Sequence, residues 1–120
     1  MTVVEMTKAI DFFKAKLEYT TGPVEVERMI ENNESIRIVD VRYPADFSAG
    51  RVPGSVNLPP DKWGSFEGLD RDKTIIVYCY SHVCHLAAKA ALKLAEHGFA
   101  VMEMEGGFDE WQKHQLPVEH

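Results

Sequence analysis

Apolar side chains recur at Val3, Met6, Ile10, Phe13 and Leu17, while Lys8, Asp11, Lys14 and Lys16 fall mainly on the other side. This is the spacing of one helical face, and it predicts an amphipathic first helix. Tyr19-Thr20-Thr21-Gly22-Pro23 breaks the pattern, with Thr20 and Thr21 expected in a short edge strand. A second helix is expected from Val24 to about Glu31, with Pro23 near its first turn and Asn32-Asn33 closing it. Ile36 to Val41 is a β-branched run and a clear strand, followed by a short helix from Ala45 to Ala49. Gly50-Arg51-Val52-Pro53-Gly54 reads as turns, Ser55 to Leu58 as a short parallel strand, and Pro59-Pro60-Asp61 as the start of a short helix toward Phe66.

Thr74 to Tyr78 has the composition of a buried strand, and Leu86 to Ala95 is rich in strong helix formers. His97-Gly98 supplies a stop, Phe99 to Met104 a last strand, Gly106-Gly107 a turn, and Phe108 to about His114 a final helix carrying Trp111. This strand–helix alternation predicts an α/β fold built on a mainly parallel sheet covered on both faces. In such sheets sites lie beyond the carboxyl ends of strands, where Tyr78-Cys79-Tyr80-Ser81-His82-Val83-Cys84-His85 falls. Residues 1–18 are expected to form a helical extension packed on the domain made by residues 19–120.

Composition narrows the functional classes. A chain of 120 residues holds one ordinary domain, and 45% apolar with 27% charged residues fits a folded globular protein. The formal charge of −6, with lysines and arginines scattered, argues against nucleic-acid binding. No apolar run approaches membrane-spanning length and the opening residues lack a basic secretory start, so a cytoplasmic protein without a membrane partner is expected. Either a monomer or a homodimer suits this size.

Two cysteines do not make a disulfide framework, which turns attention to their chemistry. Cys79 sits where a strand ends and a loop feeds a helix N-terminus. Unpaired N–H groups and the helix dipole favour an anion there, so a lowered pKa and a nucleophilic thiolate are expected. Cys84 is read first as a core-facing side chain of the first helical turn. Its alternative role is a resolving thiol that forms a disulfide with an oxidised or persulfidated Cys79. Cys79, His82, Cys84 and His85 crowd one tight loop and would have to wrap an ion almost alone, so no metal or cofactor is expected. Asp40 and Arg42 are read as structural, with Arg42 reaching Asp46 four residues on. Trp63, Phe66, Phe108 and Trp111 are read as core or rim, with Trp63 and Phe66 available to wall the cleft.

Four stretches in order carry a resemblance: Asp40-Val41-Arg42, Gly50-Arg51-Val52-Pro53-Gly54-Ser55-Val56-Asn57-Leu58-Pro59, the Cys79 loop, and Glu105-Gly106-Gly107 with Trp111. Together they resemble the single-domain rhodanese-like sulfurtransferases. The resemblance implies a rhodanese-like α/β domain with about five strands. It implies that Cys79 takes sulfur from a sulfane-sulfur donor (polysulfide, protein persulfide or thiosulfate), carries it as a persulfide and passes it to a thiol or another nucleophile. Tyr80, Ser81, His82, Val83, Cys84 and His85 complete the active-site loop. The loop departs from the family pattern Cys-x-x-Gly-x-Arg: His82 stands where glycine is usual and Cys84 where a cation is common. Thiosulfate would lose a fixed cationic partner, and Arg51 is the candidate to replace it. The alternative is a non-catalytic rhodanese-like binding or redox-sensing module using Cys79 and Cys84.

Overall fold

Hydrophobic runs separated by helix-forming segments build a single sheet in which every strand pair is parallel. The computed structural model describes residues 1–64 and 66–120. In chain order the elements are α1 (Val3–Tyr19), β1 (Thr20–Thr21), α2 (Pro23–Glu31), β2 (Ile36–Asp40), α3 (Pro44–Ala49), β3 (Val56–Asn57), β4 (Thr74–Tyr78), α4 (Leu86–Glu96), β5 (Val101–Met104) and α5 (Gly107–Lys113). The five strands lie in the order β1-β5-β4-β2-β3, and their parallel pairing is what the alternating pattern predicts. Among the described residues no helix is long and apolar enough to cross a membrane.

The period-two alternation of β4 divides the core. Ile75, Val77 and, just beyond the strand, Cys79 pack with Ala87, Ala90 and Leu94 of α4. Ile76 and Tyr78 point the other way, toward Val26 of α2 and Phe108 and Trp111 of α5. The face on which Cys79 lies is therefore set by strand register, two residues past Val77.

Two expectations need correction. Among the described residues the segment after Pro59 makes one 3-10 turn, Pro60–Lys62, and Phe66 lies in the core with φ at +56°. A Pro-Pro start followed by Gly64 gives a continuing helix little support. The second concerns α1. Its N-terminus is capped as a reciprocal box between Thr2 and Glu5, and Lys16 pairs with Glu105 at 2.9 Å. Yet no α1 residue is buried, and Leu17 is 82% exposed. The apolar stripe expected against the domain lies open. α4 covers one sheet face and α2 with α5 the other, while α1 joins the sheet at its edge through β1 and finds no layer to close.

Leu94→Ala, in the fully buried α4 face, is expected to cost about 2–5 kcal/mol in urea unfolding. Leu17→Ala should stay within about 0.5 kcal/mol. Equal costs would show that the stripe is packed after all.

Candidate active site

The loop from Cys79 to His85 is held from below by the N-terminus of α5. The Phe108 N–H donates to the Cys79 carbonyl and the Asp109 N–H to the Tyr80 carbonyl, each at 2.9 Å. This approach requires glycine at position 107, where a Cβ would stand 2.6 Å from the Cys79 carbonyl oxygen and 2.8 Å from the Ser81 nitrogen. Its φ of +61° adds a second reason for glycine. Of the Gly106-Gly107 pair seen in the sequence, Gly107 thus serves the cysteine loop directly, while a Cβ at Gly106 would meet the Glu110 side chain.

On the opposite flank a buried polar network fixes the strand ends. Asp40 is wholly buried and accepts from the Arg42 backbone N–H at 2.8 Å and from Arg42 Nη2 at 2.8 Å. The Tyr78 hydroxyl also donates to Asp40, and itself accepts from the Val52 N–H at 3.2 Å. Burial, followed by the charge of Asp40, drives the Tyr78 pKa upward and keeps that hydroxyl a donor. Arg42 therefore pairs with Asp40 rather than with Asp46, as the helical spacing had suggested. Asp46 instead accepts from the Tyr80 hydroxyl, which tethers the loop to α3.

Within the loop the two thiols occupy different environments. Cys79 is 1% exposed and joins the α4-side core, whereas Cys84 is only half-buried. The Cys79 thiol donates to the Cys84 carbonyl at 3.5 Å. Burial pushes that thiol up to about 11, helped by Cys84 and opposed by the backbone N–H groups of Ala87 and Ser81. The lowered pKa expected for Cys79 is thus corrected: desolvation outweighs the N–H groups at the start of α4. Cys84 shows the reverse balance. Its own burial raises it, but a hydrogen bond from Cys79 and the N–H groups of Leu86 and Tyr80 leave it below the ordinary thiol value.

Two cavities flank the loop. One, of about 470 Å³, is lined by Arg42, Asp46, Tyr80, Ser81 and Phe108 among others. The second, of about 500 Å³, is lined by His82, Cys84, His85, Lys89, Glu103 and Glu105 with Ala88 and Leu92 of α4. Cys79 lines neither. Cys84 does not face the core alone, as the first reading had it: it opens on the second cavity. Val83 is at the exposed tip, between the exposed His82 and the half-buried Cys84.

Arg51 is not brought to the loop. It stacks over Phe47, pairs with Glu119 at 3.1 Å and exchanges backbone hydrogen bonds with that residue. The residue nominated as the missing cation is committed to the C-terminal tail. Lys89 and Glu103 are the residues the sequence reading passed over. Lys89 lies on the α4 face that also presents His85, Ala88 and Leu92 to the cavity, a helical period already visible in the chain. Glu103 is an acid inside an otherwise apolar strand, an anomaly that marks a position beside a cavity. Burial and then Glu105 raise its pKa. Trp63 and Phe66 pack on the core cluster that contains Cys79, and the Trp63 indole N–H donates to the Leu58 carbonyl at 2.8 Å.

This arrangement, a cysteine loop at the carboxyl end of a central parallel strand with Gly107 packed beneath it, defines a class that comparison identifies. The chain matches the Rhodanese-like domain family over residues 22–114, and it belongs to that family. It is 33% identical over 99 residues to a thiosulfate sulfurtransferase, GlpE, of Glaesserella parasuis, covering 81% of this chain and 89% of that protein. It is 27% identical to a sulfurtransferase of Allochromatium vinosum, over 78% of this chain and 87% of that one. A solved structure from Bacillus halodurans superposes with a TM-score of 0.86 at 33% identity, covering 94% of this chain and 85% of that one.

Two outcomes follow from this geometry. Asp40→Asn should destabilise the fold by about 3–5 kcal/mol in denaturant unfolding, because Arg42 would keep a buried charge without its counter-ion. Brief alkylation near pH 8 should modify Cys84 before Cys79, since a thiol at about 11 stays protonated there while Cys84 ionises earlier. Peptide mapping reads the order, and Cys79 reacting first would contradict it.

Proposed function

We propose that this protein transfers sulfur by way of a persulfide on Cys79. The observation that carries this reading is the position of Cys79, just past the end of β4 in the loop that feeds the N-terminus of α4, where the backbone N–H groups of Ser81 and Ala87 act to lower the thiol's pKa. A neutral buried thiol makes little use of such a cradle, whereas a persulfide anion would be stabilised by it. The high value of the resting thiol does not oppose this, because a persulfide ionises more readily than its parent thiol. The cycle is covalent catalysis: the outer sulfur of a donor bonds to Cys79 as the donor's own sulfur–sulfur bond breaks, and an acceptor thiol later removes it.

The donor class follows from charge. The stretch Cys79–Cys84 holds no lysine or arginine, and Arg51 is engaged with the tail. Arg42 is neutralised by Asp40. A doubly charged oxyanion such as thiosulfate therefore has no free bidentate partner in the loop, and a polysulfide or protein persulfide is the better donor. A thiol is the fitting acceptor.

A second reading, a redox-sensing module that forms a Cys79–Cys84 disulfide without turnover, is favoured by two free cysteines in one loop, the Cys79 thiol donating to the Cys84 carbonyl at 3.5 Å. In it Cys84 is the resolving thiol.

Fragment-ion mass spectrometry after polysulfide treatment and desalting is expected to find one added sulfur on Cys79 of the wild-type protein. No gain in mass, or sulfur on Cys84 alone, would overturn the persulfide reading; a disulfide as the sole product would favour the sensor. Thiosulfate at equal concentration is expected to load the protein about tenfold more slowly than polysulfide, and equal rates would sink the donor assignment.

A further inference from the structure

The persulfide reading leaves a difficulty of access. Cys79 is 1% exposed and is packed among Phe66, Val77, Ala87 and Ala90. Neither cavity beside the loop reaches it. A donor large enough to carry sulfane sulfur cannot meet the Cys79 sulfur directly without opening the core. Cys84 stands between the two regions: its backbone carbonyl accepts from the Cys79 thiol at 3.5 Å, and its side chain lines the cavity that holds His85 and Lys89.

We propose that sulfur passes between solution and Cys79 by way of Cys84, which takes it from the donor in that outer cavity and hands it inward. The proposal rests on the persulfide reading above and adds a second catalytic cysteine to it. In the first step the Cys84 thiolate attacks the outer sulfur of a donor persulfide. A new sulfur–sulfur bond forms on Cys84, the donor's own bond breaks, and the donor leaves as a thiolate. In the second step Cys79 attacks the outer sulfur now held by Cys84. The Cys84–sulfur bond breaks with its electron pair remaining on Cys84, which takes up the proton given by the Cys79 thiol. One sulfur moves, one proton moves, and neither cysteine is oxidised at the end. Delivery to an acceptor thiol reverses the path.

The surroundings suit the division of labour. Four backbone N–H groups serve the two sulfurs, those of Ser81 and Ala87 at Cys79 and those of Tyr80 and Leu86 at Cys84. An anionic persulfide can be held at either end of the relay without a side-chain cation. The inner position is closed to solution thiols, so it stores sulfur, and the outer one exchanges it. The cavity carries charges of both signs, Lys89 with Glu103 and Glu105, of which Glu105 is paired with Lys16, and Leu92, 62% exposed, gives it an apolar side. The ordinary thiol order is inverted in the same sense, with Cys84 the readier of the two to ionise.

Loading rates of the wild type, Cys79→Ser, Cys84→Ser and Cys84→Ala with polysulfide, followed by intact-mass spectrometry, test this. Cys79→Ser is expected to gain one sulfur, which only Cys84 can hold, and to lose it quickly to added thiol. Both Cys84 variants are expected to load and unload Cys79 about tenfold or more slowly than wild type. Urea unfolding of both Cys84 variants accompanies the rates, and the alanine variant carries the test if the serine variant is unstable. Wild-type rates in either stable Cys84 variant, or no sulfur gained by Cys79→Ser, would overturn the relay. If the wild type itself gains no sulfur, the persulfide reading fails first, and the relay with it.

Discussion

The buried carboxylate of Asp40 is the constraint on which the geometry of this end of the sheet depends. A charge with no exposure must be paired and hydrogen-bonded, or burial would be prohibitive. Arg42 supplies the counter-ion, and Tyr78 supplies a donor from the neighbouring strand, where it sits in register with Asp40. The network then spreads outward. Arg42 donates to the Gly50 carbonyl, Tyr78 accepts from Val52, and the Asn57 amide donates to the Asp40 and Arg42 carbonyls. The turn at 50–55, the end of β2 and the end of β4 are thus held by one satisfied set of polar groups. Cys79 is the next residue after Tyr78, so the place where the loop begins is fixed by that set.

From this anchor the loop gains its character through two opposed effects. Its start is pulled into the α4-side core because strand register sends Cys79 to the same face as Val77. Its end is turned outward by the entry into α4, which leaves Cys84 half-buried beside a cavity. Desolvation acts on the first sulfur and backbone N–H groups act on both, so two chemically identical side chains separate in acidity. A loop with a fixed cation would have placed a charge over the first sulfur. Here the loop offers a second cysteine in place of a cation.

The glycine at 107 connects this site to the rest of the fold. It lets α5 begin in close contact with the loop backbone, and the first N–H groups of α5 close the loop carbonyls instead of facing solvent. α5 also carries Phe108, which lies under the Arg42 guanidinium at 4.3 Å. The anion-pairing network and the cysteine loop therefore share one helix as their floor, and a shift in that helix would be felt by both.

Much of this was legible in the chain itself. Element order, the parallel sheet and the position of Cys79 beyond a central strand follow from β-branched runs alternating with helix formers, because local periodicity reports which face each element must bury. Four motifs in order carried the family, and the comparisons agree with it. The sequence by itself could not say which partner Arg42 takes, since Asp40 and Asp46 both lie within reach along the chain and only the Tyr78 and Tyr80 hydroxyls, from another strand and loop, divide them. Nor could it rank the two thiols. Helix-terminal position alone predicts a more acidic Cys79, but burial is a property of the folded core, and the core reverses the order. The same holds for Arg51, drawn to the C-terminal tail by Glu119, 68 residues away in sequence, and for α1, whose stripe specifies a helix but not a surface to cover it. Local pattern determined the elements and the place of the cysteine loop; tertiary structure decided acidity, access and pairing, because each depends on groups distant in the chain.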